Sequence, residues 1–390
     1  MTDSTATDSM DFTYDDEHDA LRQAVAGLLS RAYDGEKRRA VVAADPGFDE
    51  KTWAALAEMG LLGLPFAEEH GGAGAGPVEV AIVAEEIGRV LAPEPFVEAV
   101  VLAGGLVDAV GTDAQRTELL GALAEGSAVL AFAHAEPGTR WSPAAAEVYA
   151  TEDAGGWRLT GTKEPVPSGA RADVLVVSAL VDGRTRLFVV DGDAEGLSRV
   201  GYRTHDGSRA ARVEFADTPA EPLGEGPADR SADIERAQAV ARIAYAHEAI
   251  GAMATALATT TEYLRTRKQF GVTLNKFQAL TFRAADMYVS LELARSTALW
   301  ASLVVAAGGD LVTAADRARL QTSRASRHIG KEAIQLHGGI GVTAEYTVGH
   351  YTSRLTAIDH VLGDGDWALA RLAGGIADHE TVDPLGAPYT

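Results

Sequence analysis

Two short segments decide how this chain folds: Arg267-Lys268-Gln269-Phe270-Gly271, with Phe277-Gln278 close behind, and Gln335-Leu336-His337-Gly338-Gly339-Ile340-Gly341. Each closes a long apolar run of helical period. The first places a permanent cation and an aromatic ring at a helix end, and the second is a glycine turn through which backbone amides can approach a ligand closely. Together they read as a grip for a phosphate-bearing cofactor. Around them the helical period runs near 232–266, 276–307 and 313–336, and helices this long pack as a bundle that can carry an oligomer interface.

Upstream of the bundle the period changes. Between about 127 and 225 the chain breaks into short β-rich runs such as Val174-Leu175-Val176-Val177 and Leu187-Phe188-Val189-Val190, punctuated by Gly155-Gly156, Asp182-Gly183 and Asp191-Gly192. These predict strands of an antiparallel sheet or barrel. From about 11 to 126 the spacing is helical again, with Leu21, Val25, Leu28 and Leu29 on one face. Gly71-Gly72-Ala73-Gly74-Ala75-Gly76 follows no predicted strand, so it reads as a loop rather than a dinucleotide-binding turn. The expected organisation is a disordered tail over 1–10, a helical domain over 11–126, a β domain over 127–225 and a helical bundle over 226–390.

Composition narrows the functions this chain can serve. A length of 390 residues with 46% hydrophobic content exceeds one ordinary domain and buries large cores. A formal charge of -22 repels nucleic acid and anionic membrane surfaces, so neither is an expected partner. With no cysteine, thiolate metal sites and cysteine catalysis are excluded, and no metal site is expected. The start, Met1-Thr2-Asp3-Ser4-Thr5, lacks a basic and an apolar region, and no stretch reaches the roughly 18–20 uninterrupted apolar residues of a membrane span. A cytoplasmic protein without membrane insertion is the expectation.

The order of an all-α domain, a β domain and an α bundle resembles the acyl-CoA dehydrogenase family, and the likeness is carried by motifs along nearly the whole chain. They include Trp53-Ala54-Ala55-Leu56-Ala57-Glu58-Met59-Gly60-Leu61, Glu68-Glu69-His70-Gly71-Gly72, Glu85-Glu86-Ile87-Gly88-Arg89, Ala135-Glu136-Pro137-Gly138 and Trp157-Arg158-Leu159-Thr160-Gly161-Thr162-Lys163, besides the opening pair. The resemblance implies an α+β fold with an N-terminal helical domain, a central antiparallel β domain and a C-terminal four-helix bundle. It implies FAD as cofactor and an acyl-CoA substrate, with acyl carrier protein as another possible carrier. An electron-transfer flavoprotein or similar acceptor and a homotetramer or heterotetramer are the implied partners. Arg267, Phe270 and Gln278, and Gln335, Gly338 and Gly339, are implied to hold the cofactor from across a subunit boundary.

In this family a carboxylate removes the α-proton of the thioester while the flavin accepts the β-hydride. Aligned on Arg354, the loop glutamate used by many members falls on Gly363, and the helical pair of base and arginine used by others becomes Ala241-Arg242. Glu248 lies two helical turns beyond Ala241, about 10 Å further along nearly the same face, and is the first candidate for the base. Its small apolar neighbours Ala246, Ala249, Ile250 and Gly251 would raise its pKa and leave room for a bulky acyl group. Pairing with a neighbouring helix is the structural alternative. Asp364 and Asp366 are second candidates, set against a simple turn and N-cap, and Arg242 is read as substrate-binding.

Beside the flavin ring the sequence departs from the family. Ala135 stands where a threonine is usual, and the segment Thr139-Arg140-Trp141-Ser142 replaces small and hydroxyl residues. Pro167 has no N–H to offer the ring, and Ser168 is the candidate to compensate one position later. This combination resembles the small-subunit branch, which includes pimeloyl-CoA dehydrogenase small subunits and actinobacterial steroid side-chain enzymes, where two related chains divide the flavin sites unequally. Three functions stay open: a flavin-dependent acyl-CoA dehydrogenase, a half-site subunit completing a partner's flavin site, and a flavin monooxygenase on the same fold.

Overall fold

A computed structural model of the chain describes residues 12–378, so the tail expected over 1–10 lies outside the described residues. The N-terminal domain is built from helices α1 (Asp16–Ala32), α2 (Gly35–Ala43), α3 (Glu50–Glu58), α4 (Pro77–Val90), α5 (Gly105–Val110) and α6 (Asp113–Ala124). Local chemistry sets the ends. Asp15 and His18 form a reciprocal capping box on α1, as Thr112 and Gln115 do on α6, satisfying amides that a helix start leaves free. The glycine-rich stretch before α4 is a loop, and Pro77 opens the helix where no N–H is needed. Between α4 and α5, Phe96–Gly104 winds as a π-helix, a rare form frequent at functional sites.

Seven strands follow: β1 (Leu130–Ala133), β2 (Tyr149–Asp153), β3 (Gly156–Pro167), β4 (Val174–Val181), β5 (Arg184–Asp191), β6 (Leu197–Arg203) and β7 (Arg209–Pro222). Most neighbours are antiparallel, as expected. The β4–β5 hairpin turns at Asp182-Gly183, both at positive φ, the geometry that matches strand twist. Parallel pairing is confined to β1, which runs beside β4 from Leu130↔Val174 to Ala133↔Val177, and to a single bridge from β2 to β4 at Tyr149↔Leu180, among the described residues. Pairings β4–β2–β3–β7–β5–β4 close on themselves into a barrel around Val148, Leu159, Leu175, Phe188 and Val213. Closure removes edges that would otherwise template aggregation.

The C-terminal domain comprises α7 (Ser231–Thr266), a small hairpin of β8 (Lys268–Gln269) and β9 (Val272–Thr273), then α8 (Gln278–Ala306), α9 (Leu311–His337), α10 (Val348–His360) and α11 (Gly365–Gly374). Helix α7 is buried along its middle and joins the bundle to the N-terminal domain. It crosses α4 at very close range. A Cβ on Gly88 would sit 1.9 Å from the Glu248 carbonyl oxygen, and one on Gly251 would sit 1.9 Å from that of Glu85. The space beside Gly251 is therefore filled by the α4 backbone, not held open for an acyl group. Helix α8 is long and apolar enough to cross a membrane, yet it carries Arg283, Asp286, Glu292 and Arg295 and packs against α9, where Arg283 pairs with Glu332 at 2.5 Å.

Candidate active site

The crossing of α4 and α7 sets Glu248 in place, and side chains from three other parts of the chain gather around it. Glu248 Oε1 accepts a 2.6 Å hydrogen bond from Nε of Arg354 on α10. The same guanidinium donates through Nη1 to Asp206 at 3.0 Å and to the Ser208 hydroxyl at 3.1 Å, both in the β6–β7 turn. Burial raises Asp206, but Arg354 and the hydroxyls of Thr204 and Ser208 outweigh it and bring the carboxyl down to about 2. Glu98, from the π-helix, faces the same cavity as Glu248 and Arg354. Burial pushes Glu98 above the usual carboxylate range against the pull of Arg354.

The cavity is also lined by Arg38, Phe48, Leu91, Glu94, Ser168, Arg171 and Arg209, so all three domains contribute. Ser168, at φ 56°, is held by its amide to the Arg209 carbonyl, and none of the described residues bonds its hydroxyl. Thus two of the residues singled out in the sequence, Glu248 and Ser168, share one cavity. The apolar surroundings expected for Glu248 are corrected: what faces its carboxylate is Arg354, brought by α10, while the small sequence neighbours serve the contact with α4. A second cavity of about 270 Å³, lined by Val80, Val100, Val101, Val240, Ile243 and Ala244, is apolar with Asp108 at its wall.

Arg242 does not reach the cavity. It is fully buried between Glu235 at 3.3 Å and Asp316 at 3.6 Å, with its guanidinium 5.1 Å from the centre of the Trp367 ring. A direct hold on substrate is therefore replaced by a place inside the bundle. Asp364 caps α11, accepting from Trp367 N at 2.8 Å, and Asp366 is exposed near Arg327, so neither second-choice base enters the cavity. Sequence reading missed Glu98, Arg38 and the role of Arg354. A lone charge inside the apolar run Phe96-Val97-Glu98-Ala99-Val100-Val101-Leu102 was the available signal for Glu98.

At the C-terminal end of α7 the two opening motifs are brought near each other. Tyr263, one turn before Arg267, stacks on His337 with ring centres 4.5 Å apart, which brings the ends of α7 and α9 together. His337 is buried and bonds the Ala333 carbonyl at 2.7 Å. Arg267, Gln278, Gln335, Gly338 and Gly339 are all exposed, and Phe270 is 91% exposed. A Cβ on Gly338 or Gly339 would meet nothing within 4 Å. This open cationic and glycine-lined end fits the phosphate and adenosine portion of a dinucleotide shared with a second chain.

The segments expected beside a flavin ring do not fit as well. Ala135 offers only backbone, and its carbonyl already accepts from Glu164 N at 2.8 Å. Pro167 is spent in the β3–β7 ladder opposite Ala210. Trp141 donates its indole N–H to the His360 carbonyl at 3.2 Å and meets Trp367 edge-on at 6.1 Å, tying the β domain to the α10–α11 loop.

Fold, motifs and comparisons agree on the class of protein. The chain belongs to the acyl-CoA dehydrogenase family, whose N-terminal domain model matches residues 15–127 and whose C-terminal domain model matches residues 233–375. It is 33% identical over 361 residues to the acyl-CoA dehydrogenase IpdE2 of Mycobacterium tuberculosis, covering 92% of this chain and 96% of that one. Among solved structures it resembles the Tcur3481-Tcur3483 steroid ACAD, with a TM-score of 0.85 and 34% identity over 93% of this chain and 98% of that one. It also resembles the ChsE4-ChsE5 complex from Mycobacterium tuberculosis, with a TM-score of 0.86 and 25% identity over 95% and 100% of the two chains. The expected α+β architecture is borne out by these matches.

Proposed function

We propose that this chain works in an oligomer as a cytoplasmic FAD-dependent acyl-CoA dehydrogenase, with Glu248 as the base that takes the α-proton. The observation that carries this reading is the convergence of all three domains on Glu248. Arg354 occupies Oε1, while Oε2 accepts from none of the described residues and remains free to receive a proton. Arg354 is itself fixed by Asp206 and Ser208, so the carboxylate is oriented before substrate arrives. Bound FAD would supply the acceptor for the β-hydride. Arg267, Phe270, Gln278, Gln335, Gly338 and Gly339 would hold its phosphate and adenosine end across a subunit boundary, and Ser168 is the hydroxyl on the β-domain side of the cavity.

Helix α8 presents Phe282, Tyr288, Val289 and Leu293 to solvent, each more than half exposed, an apolar face of the kind that a second chain covers. An electron-transfer flavoprotein or similar acceptor would reoxidise the flavin. The half-site reading is favoured by one specific observation, that Trp141, in the segment where small and hydroxyl residues are usual, is tied to Trp367 and the His360 carbonyl. Visible spectra of the chain purified alone and with a co-expressed relative separate these readings, because a colourless chain that gains flavin only with a partner is a half-site subunit. For the base, Glu248→Gln lowers turnover about 10²- to 10⁴-fold at unchanged flavin content. An unchanged rate would reject Glu248 as the base.

A further inference from the structure

The apolar cavity of about 270 Å³ shares no lining residue with the Glu248 cavity. The π-helix stands between them: Phe96, Val97 and Glu98 line the first, Val100 and Val101 the second. The floor of the second is buried and hydrocarbon throughout, built by Phe66, Val80, Val101, Ile243 and Ala244. Its mouth is formed by the half-buried Gly105, Asp108, Val240 and Val305. Small residues leave the space open, and a Cβ on Gly105 would meet nothing within 4 Å. Protein interiors keep few voids larger than a water. An apolar cavity of about 150 Å³ takes up benzene, so this one admits a hydrocarbon chain of roughly ten carbons.

Charge enters this lining at a single residue, Asp108, with no lysine, arginine or histidine beside it. Among the described residues nothing bonds or pairs with the Asp108 carboxylate. Arg116 comes near, but its Nε donates to the Asp108 backbone carbonyl at 2.7 Å and not to the side chain. Nor does Asp108 cap a helix start, because α5 continues from the π-helix through Gly104, itself in helical conformation. A carboxylate at an apolar opening attracts a cation and repels an anion. The formal charge of -22 on the whole chain adds to that preference. Fatty acids and phosphate-bearing thioesters are therefore disfavoured at this mouth.

We propose that this cavity is a second ligand site, separate from the Glu248 cavity, for an apolar molecule of up to roughly ten carbons that carries one cationic amine. The carbon chain lies on the floor between the π-helix and α7, and the ammonium stays at the wet mouth beside Asp108. Burial of the chain drives binding, and the carboxylate selects the headgroup. The site does not depend on the acyl-CoA reading, since it uses none of the residues assigned to that chemistry.

Calorimetric titration of the assembled protein near neutral pH with n-octylamine, octan-1-ol, octanoate and n-butylamine tests this. Octylamine binds roughly fivefold tighter than octanol, and octanoate binds most weakly of the three. Butylamine has the same charge but too short a chain, and it binds about tenfold or more weakly than octylamine. Asp108→Asn brings octylamine and octanol within about twofold of each other, and Val240→Trp, which fills the mouth, removes the binding of both. Octanol or octanoate binding as tightly as octylamine would overturn the proposal, as would butylamine matching octylamine. Octylamine binding unchanged in Val240→Trp would place the amine elsewhere on the acidic chain and would also overturn it. If one variant fails to fold, the wild-type order of the four ligands and the other variant still decide.

Discussion

The middle and the C-terminal end of α7 carry opposite kinds of site. At its C-terminus, Arg267, Phe270, Gln335, Gly338 and Gly339 are exposed, come from two contiguous segments and touch little of their own chain. At its middle, Glu248 is 2% exposed and meets residues from α10, the π-helix and the β6–β7 turn. The first is an open surface, proposed above as the part of the site that a second chain shares. The second is an interior where Arg354 pairs with both Glu248 and Asp206. Losses at the two should therefore differ in kind: stability at the cavity, ligand retention at the grip.

The sharpest break in that contrast comes from Arg354→Ala. It leaves Glu248 and Asp206 buried without their cation, and removing one partner of a buried pair costs about 3–5 kcal/mol. Urea unfolding measures this, and a change under 1 kcal/mol would show that the cavity is wetter and less committed than its geometry implies.

A smaller effect follows pH. Burial pushes Glu94 from the ordinary 4.5 up to about 7, although the Tyr33 hydroxyl bonds it. An acid raised in the folded state binds more protons folded than unfolded. Its stabilising share is full below about 4.5 and is lost as pH rises through about 7, on the order of 3 kcal/mol. Glu94→Gln should flatten the stability profile between those values; an unchanged slope would assign the titration elsewhere.

At the grip, Arg267→Ala should move stability by no more than about 0.5 kcal/mol, as exposed substitutions do. The flavin content of the assembled oligomer should fall nevertheless. Full flavin retention would show that the exposed end does not serve the cofactor.

Much of the fold was legible because the period of the chain changes where its domains change. Helices expected near 232–266, 276–307 and 313–336 are found at Ser231–Thr266, Gln278–Ala306 and Leu311–His337. The parallel pairing of β1 with β4 was not legible, because a four-residue apolar strand carries no mark of its partner's direction. In the site, Glu248 stood out by its offset from Ala241, but its partner Arg354 lies 106 residues away. Gly251 looked like room for a ligand and proved to be the contact with α4, since a missing side chain serves either purpose. Arg242 looked like a substrate contact and is clamped by Glu235 and Asp316, which helical spacing from Ala241 does not reveal.

By itself the sequence determined the family, the order of helical and β segments and the two C-terminal motifs proposed as a cofactor grip, because these depend on short-range period and contiguous motifs. The tertiary structure alone decided which charges share a cavity: that Arg354 holds Glu248 and Asp206, and that Glu98 comes down from a π-helix to join them. The reason is physical. A helix or turn is written in residues a few positions apart, whereas the energy of a buried charge depends on every group within a few ångströms, and here those groups come from all three domains.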